Sequence, residues 1–366
     1  MIPADRERNV LSVVARPAFK DGVKKPYNFL LYGALERLGV RVSEYQTRHL
    51  LQGHVDIWHI HWPESLIETK SGSRAWFSAQ QYRLLLHIAR RRGIKLIWTI
   101  HDLVPHDLVY PRIEWSFWRD VIDRVDGVIA LTQKGLDLAR EKYPHLQTCP
   151  SFVIPHGHFR DAYPRTVTRE EAREILGIPP KKRVIAHFGQ IRPYKNVPRL
   201  IQAFRALPGD DLMLLICGRI SKRTGGRDEI VDAAEGDPRI RLELRYIKPE
   251  EIQLFLLAAD LMVFPYSEIL NSGSAILALS YDRPIVVPNL GALPELRDLV
   301  GDTWMRGYEG NIDARILADA LAWALETERP PRAPLEALDW AGIGVQTLDA
   351  YRTIVRNGSH ESASPG

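Results

Sequence analysis

Two sets of polar residues in this sequence have types and spacings that could do chemistry. The first lies in the N-terminal half. His59, His61 and Glu64 close one apolar run, and His101, Asp102, His106 and Asp107 follow another. Imidazoles and carboxylates are the side chains that take up and release protons near neutral pH. A single buried histidine is ordinarily a satisfied core residue, but two successive runs that end in such clusters point to a site. The second set lies in the C-terminal half. In Gly189-Gln190-Ile191-Arg192-Pro193-Tyr194-Lys195 a glycine follows an apolar run and two cations stand three residues apart. A guanidinium fork and an ammonium point charge beside a helix start can neutralise a diphosphate. Further on, Glu268 precedes the small-residue turn Asn271-Ser272-Gly273-Ser274, and a loop ending in Pro294-Glu295 is expected after the next apolar run. A polar, glycine-containing turn that enters a helix offers free backbone N–H groups and a positive dipole end, which suits phosphate.

Strands alternating with helices would have to position these residues. Apolar, β-branched runs predict strands over 9–15, 40–45, 55–61, 95–100, 127–131 and 151–154, with helical spacing over 27–38, 76–92, 115–125 and 136–142. After Pro155-His156-Gly157-His158, which reads as a hinge, strands are expected over 183–188, 212–217, 240–244, 261–264 and 284–287. Helices are expected over 166–176, 197–207, 249–259, 275–281, 316–326 and 344–355. The alternation predicts an α/β fold with parallel sheets, whose ligands lie beyond the carboxyl ends of the strands. The polar sets fall at such ends.

With 366 residues the chain can build two domains, each with its own core. Its 45% apolar and 26% charged content is that of a soluble globular protein. It holds no run of eighteen apolar residues, and the charged start MIPADRERNV predicts no signal peptide. Cys149 and Cys217 make neither a disulfide framework nor a metal cluster and fit a reducing cytosol. A net charge of +4 permits attraction to phosphate or anionic lipid and does not argue for nucleic acid. Arg74-Ala75-Trp76-Phe77 and Arg90 to Arg92 mix aromatic and basic residues as a membrane-surface patch would, or as a solvated helix with core-facing aromatics would. The tail 357–366 is small and polar and is expected to fray.

The hinge Pro155-His156-Gly157, the Gly189, Arg192 and Lys195 motif, the region from Glu268 to Glu295 and the segment after Trp340 together resemble the GT-B glycosyltransferases, in the family that includes sucrose synthases and glycogen synthases. The resemblance implies two Rossmann-like parallel-sheet domains facing a cleft, residues 1–160 for the acceptor and 161–335 for the nucleotide sugar. Residues 336–356 would form a helix crossing back to the first domain, before a flexible tail at 357–366. One departure matters. Retaining members carry a second Glu on the helix after the loop, where it binds the ribose; Leu277 stands there and cannot accept a hydroxyl hydrogen bond. The Ile269-to-Ala275 turn, His61-Trp62-Pro63-Glu64 and the stretch from Thr99 to Asp107 look similar to bacterial exopolysaccharide β-mannosyltransferases, which use GDP-mannose and invert the anomeric carbon.

That likeness implies an inverting transfer of mannose to a glycan or lipid-linked acceptor at the cytosolic membrane face, without cofactor or nucleic-acid partner. The base would be Asp102 or Asp107, with Glu64 third, and His61, His101, His106 and His156 would line the acceptor side. Gly189, Arg192, Lys195, Glu268, Asn271, Ser272, Gly273, Ser274 and Glu295 would hold the donor, with Glu268 available to the sugar hydroxyls. The sequence has no Asp-x-Asp motif, so a metal-independent reaction is expected. Other readings stay open. They are a retaining UDP-sugar transferase, a sugar-nucleotide epimerase, a phosphorylase (no cofactor-lysine motif is visible) and a degenerate nucleotide-binding non-enzyme.

Overall fold

The computed structural model describes residues 10–20, 22, 26–105, 108–221 and 225–361, the last four as backbone only. His106 and Asp107 lie outside the described residues. Two compact units form, one from Met1–Gly157 with Leu338–Gly366, the other from His158–Ala337.

The first unit opens with β1 (Ser12–Arg16), α1 (Pro26–Arg37), β2 (Arg41–Glu44) and α2 (Thr47–Gln52). Then follow β3 (Ile57–Ile60), α3 (Gly72–Arg91), β4 (Lys95–Ile100), α4 (Pro111–Ile122), β5 (Gly127–Ala130), α5 (Gln133–Lys142) and β6 (Ser151–Val153). All six strands are parallel in the order β2-β1-β3-β4-β5-β6. The order reverses between β1 and β3, the kind of switch point at which open α/β sheets bind ligands.

The second unit begins with α6 (Arg169–Ile175), β7 (Arg183–Phe188), α7 (Val197–Arg205), β8 (Leu212–Cys217), α8 (Arg227–Ala234) and β9 (Ile240–Glu243). It continues with α9 (Ile252–Ala258), β10 (Leu261–Val263), α10 (Gly273–Ser280), β11 (Ile285–Pro288), α11 (Leu293–Val300), β12 (Met305–Tyr308) and α12 (Ala314–Glu326). Its strands are also parallel, in the order β12-β11-β10-β7-β8-β9, with the reversal between β7 and β10. The last helix, α13 (Trp340–Glu361), packs on α1 in the first unit.

Strand composition explains the layering. β4 and β7 start on a half-buried cation and are otherwise wholly buried, as strands covered on both faces must be. Within the first sheet the two-residue period sorts the faces. Trp58 and Trp98 meet Tyr45, Tyr82, Trp118 and Tyr143 on one side. Ile57, Ile97 and Ile129 pack on the other with Leu31 and Leu35 of α1 and Ile343 and Ile354 of α13. His59 and His61 continue the Ile57 row, and Thr99 and His101 continue the Ile97 row, so all four face α1 and α13.

Three expectations are corrected here. The last helix is ten residues longer than the expected 344–355, and its extension covers 357–361, so that part of the tail is helical; residues 362–366 lie outside the described ones. Pro294 and Glu295, expected at the end of a loop, belong to α11, because proline suits the first helical turn. The strand expected from residue 9 starts at Ser12.

Candidate functional site

In the first unit the carboxyl ends of β3 and β4 meet α1 and α13 in a packed set of rings. Tyr27 of α1 touches His61, His101, His156 and Trp340 at centroid distances of 5.7, 4.8, 4.7 and 5.4 Å. His101 also stacks on Trp62 at 4.4 Å with planes 20° apart. Gly157 permits the close approach at the hinge, since a Cβ there would fall 2.3 Å from the Trp340 ring. His156 is half-buried and donates from Nδ1 to the Gly157 carbonyl at 2.7 Å.

Hydrogen bonds run through the same set. Tyr32 Oη lies 2.7 Å from His61 Nε2 and 3.0 Å from His59 Nδ1, and His61 Nδ1 lies 3.0 Å from His101 Nε2. His59 Nε2 is 2.7 Å from Thr99 Oγ1, and Tyr351 of α13 reaches His59 Nδ1 at 2.7 Å. Burial disfavours the imidazolium at each ring. It lowers His59 and His101 to about 3 and His156 to about 4, and holds His61 well below the ordinary histidine value. These rings are therefore neutral at pH 7. Asp102, next to His101, is half-buried, as is Glu64 in the 3-10 turn Pro63–Leu66. Asp102, Glu64, His61, His101 and His156 thus share one unit and all follow the carboxyl ends of strands in one sheet.

The second unit brings three loops together at the carboxyl ends of β7, β8 and β10. Gly189 has φ 137°, and a Cβ on it would sit 2.5 Å from Ser274 Oγ. Gly218, at φ 144°, approaches so closely that a Cβ would fall 1.8 Å from the Gly189 carbonyl oxygen. Only glycine meets both requirements. Lys195 is 7% exposed and donates from Nζ to Tyr266 Oη at 3.1 Å, with Nζ 4.2 Å from the Tyr266 ring centroid. Tyr266 Oη lies 2.7 Å from Ser272 Oγ, which caps α10 by accepting from the Ala275 N–H at 3.2 Å. Ser267 N–H donates to the Tyr194 carbonyl at 2.9 Å, tying the Arg192–Lys195 turn to this loop. Arg192, Asn271, Gly273 and Ser274 are half-buried around it.

Below them His187 is fully buried and donates from Nδ1 to the Val263 carbonyl at 2.9 Å. Burial first and the Lys195 charge second lower it to about 4. Glu295 lies half-buried in the first turn of α11, whereas Glu268 is exposed. Leu277 is buried inside α10. A left-handed glycine, a buried ammonium and a capped eight-residue helix start form a cradle suited to a diphosphate. Tyr266 was not marked by the sequence, because an uncharged residue two positions past a strand carries no signal. Tyr27, Tyr32 and Tyr351 were likewise read only as helix residues.

Comparison with known proteins agrees with this architecture. Residues 168–337 match the family model described as glycosyl transferases group 1. A GDP-mannose:glycolipid 4-beta-D-mannosyltransferase from Xanthomonas campestris pv. campestris is 30% identical over 323 residues, covering 87% of this chain and 85% of its own. Among solved structures, sucrose-phosphate synthase from Thermosynechococcus elongatus superposes with TM-score 0.68 at 14% identity, over 95% of this chain and 100% of that one. Anabaena HepE in complex with UDP and glucose gives TM-score 0.59 at 15% identity, over 98% and 100%.

Proposed function

We propose that this chain, which belongs to the group 1 glycosyltransferases of GT-B fold and is a hexosyltransferase, moves mannose from GDP-mannose to a glycan or lipid-linked acceptor with inversion at the anomeric carbon. One observation carries the donor assignment. Gly189, Lys195, Tyr266, Ser272 and Ser274 come together in the second unit in an arrangement suited to a diphosphate. The Xanthomonas relative, named for GDP-mannose, supports the choice of sugar nucleotide. Leu277 at the place of the ribose carboxylate supports the separation from retaining members.

In this reading a carboxylate of the first unit takes the proton of the acceptor hydroxyl, whose oxygen attacks C1 of mannose. The C1–O bond to the diphosphate breaks on the opposite face, and GDP leaves. Arg192, Lys195 and the N–H groups at the start of α10 meet the charge that develops on the leaving oxygen, so the residues themselves supply the positive charge a metal would otherwise bring. Asp102 and Asp107 lead as the base, Glu64 comes third, and Glu268 is available to the sugar hydroxyls.

A lipid-linked acceptor in exopolysaccharide synthesis, met at the inner membrane face, fits α3. No helix among the described residues is long and apolar enough to cross a membrane. Trp76, Phe77 and Leu84 of α3 are 49%, 66% and 59% exposed, beside the exposed Arg74, Arg90 and Arg91. Arg92 serves a different end, donating to the carbonyls of Leu50 and Gly53.

A panel of GDP- and UDP-sugars tests the donor. Thermal stabilisation and hydrolysis with GDP-mannose but not UDP-sugars are expected, while stabilisation by UDP alone would turn the reading to a UDP-sugar transferase. The anomeric configuration of the product, read by NMR, decides between inversion and retention. Asp102→Asn or Asp107→Asn, whichever removes the base, lowers kcat about 10²- to 10⁴-fold at unchanged donor KM. Near-normal rates in both place the base elsewhere. Co-sedimentation with anionic vesicles tests the α3 patch; no binding at low salt rules it out.

A further inference from the structure

A buried hydroxyl outside the histidine cluster reaches the loop that carries Asp102. Tyr143 stands between α5 and the 3-10 turn Pro144–Gln147, and its N–H donates to the Ala139 carbonyl at 2.8 Å. Its ring meets Trp98 of β4 edge-on at 6.2 Å, and Trp118 of α4 meets Trp98 edge-on at 5.7 Å. The Tyr143 hydroxyl lies 2.8 Å from Trp118 Nε1 and 2.6 Å from the Leu103 carbonyl oxygen. Chemistry fixes the direction of both contacts. An indole nitrogen only donates and a carbonyl only accepts, so Tyr143 Oη accepts from Trp118 and donates to Leu103. Burial pushes the hydroxyl up to about 12, so its proton is in place near pH 7.

That bond lands one residue past Asp102. On the other side of Asp102, the His101 ring stacks on Trp62 at 4.4 Å and meets the Tyr27 ring at 4.8 Å. The His101 N–H also donates to the Thr99 carbonyl at 3.1 Å. Asp102 is half-buried between these two anchored neighbours. Neither helix nor strand runs through residues 101–105, so individual contacts of this kind, and not a repeating backbone ladder, set where the segment lies. The start of α4 beyond the loop is fixed in the same manner. There one carboxylate oxygen of the buried Glu114 accepts from the Val109 and Tyr110 N–H groups at 2.8 Å each.

We propose that Tyr143 is a positioning residue for Asp102, its hydroxyl fixing the Leu103 carbonyl and so holding the carboxylate where the acceptor hydroxyl gives up its proton. This rests on the reading above that Asp102 is the base. The role is geometric. The hydroxyl proton stays on Tyr143, shared with Leu103, while Asp102 takes the proton of the acceptor. A general base works only within hydrogen-bond reach of that proton, about 2.6–3.2 Å. A misplacement of about 1 Å can lower turnover about 10²-fold. Without the Tyr143 hydroxyl, the Trp118 N–H and the Leu103 carbonyl lose this partner and face an apolar ring edge, which favours a shift of the loop towards water.

Tyr143→Phe is the decisive variant, because it keeps the ring and removes only the hydroxyl. The Leu103 ¹³C′ resonance of the full-length protein reads the bond directly, with no substrate present, since a carbonyl carbon moves upfield when it loses a hydrogen bond. The expected result is an upfield shift at Leu103 in Tyr143→Phe and none in Leu146→Val. Leu146 is fully buried in the 3-10 turn after Tyr143, so its truncation loosens the same packing and leaves the Tyr143 hydroxyl in place. In transfer assays Tyr143→Phe lowers kcat about 10- to 100-fold at unchanged KM for the sugar nucleotide. Leu146→Val turns over like the unmodified chain. An unmoved Leu103 resonance in Tyr143→Phe overturns the proposal at its first step. A moved resonance with unaltered kcat, or an equal loss of kcat in Leu146→Val, overturns the positioning role. Turnover is read with whichever sugar nucleotide the unmodified chain uses, so failure with GDP-mannose alone refutes that donor and leaves the comparison intact. Near-normal rates in Asp102→Asn, or no transfer from any donor, refute the reading beneath the proposal and the positioning role with it, while the resonance still decides the bond.

Discussion

Lys195→Met is the sharpest perturbation of the proposed donor cradle. The substitution keeps an unbranched apolar stem of similar length in a pocket where Lys195 is only 7% exposed, and removes just the ammonium and its donors. In the unliganded protein that ammonium donates to Tyr266 Oη at 3.1 Å and sits over the Tyr266 ring at 4.2 Å. A phosphate brought within reach adds a full negative charge opposite that ammonium. A hydrogen bond to a charged group contributes about 1.5–3 kcal/mol net, and burial limits the screening that would reduce it at a surface. GDP and GDP-mannose should therefore bind the variant about 10- to 150-fold more weakly. Isothermal titration with GDP measures this directly, and thermal unfolding without ligand checks that the fold is intact. GDP affinity within about twofold of the unmodified chain, in a variant that melts normally, would refute the phosphate assignment. Tyr266→Phe retains the ring and loses only the hydroxyl, so it should weaken GDP by about fivefold, less than Lys195→Met. A larger effect in Tyr266→Phe would mean that the hydroxyl, not the ammonium, meets the ligand.

Three more outcomes follow from the geometry. Gly157→Ala puts a Cβ 2.3 Å from the Trp340 ring and should destabilise the first unit by about 1–3 kcal/mol, seen as an earlier first transition in urea. Gly189→Ala forces a side chain into φ 137° and against Ser274 Oγ, and should abolish detectable GDP stabilisation while the protein still folds. Acid should weaken the fold through its buried imidazoles. His59 and His187 are fully buried, and their folded values lie near 3 and 4, below the unfolded value near 6.5. The unfolded chain therefore binds more protons in that window, and stability falls as pH drops below about 6.5, by roughly 1.4 kcal/mol per pH unit for each such group. Urea midpoints between pH 7 and pH 4.5 measure the slope, and His187→Gln should make it shallower.

Much of this was legible in the residues. The strands at 95–100, 183–188 and 212–217 matched their expected bounds, because each is an apolar run flanked by charge or glycine and buried on both faces. Short or polar elements were not legible: α2, α8 and β12 bury one or two side chains each and leave no periodic stripe. The site divides the same way. His59 and His61 two residues apart, with His101 ending the next strand, are visible as one face of a sheet. Tyr351, which meets His59 across 292 residues of sequence, is not, because only the packing of α13 on α1 brings them together. Gly189 and the Ser272–Ser274 turn were each recognisable as phosphate loops, but their contact, and the tyrosine that joins Lys195 to Ser272, depend on the strand order.

That packing of α13 also sets an order of assembly during synthesis. The second unit is one unbroken stretch, His158–Ala337, complete as soon as it has left the ribosome. The first unit is split, and its late piece brings Trp340 to Tyr27 and Tyr351 to His59. Until those last turns emerge, the nascent chain can already own a finished second unit, while the histidine cluster still waits beside an open flank of α1. The half of the molecule translated first is thus the half finished last.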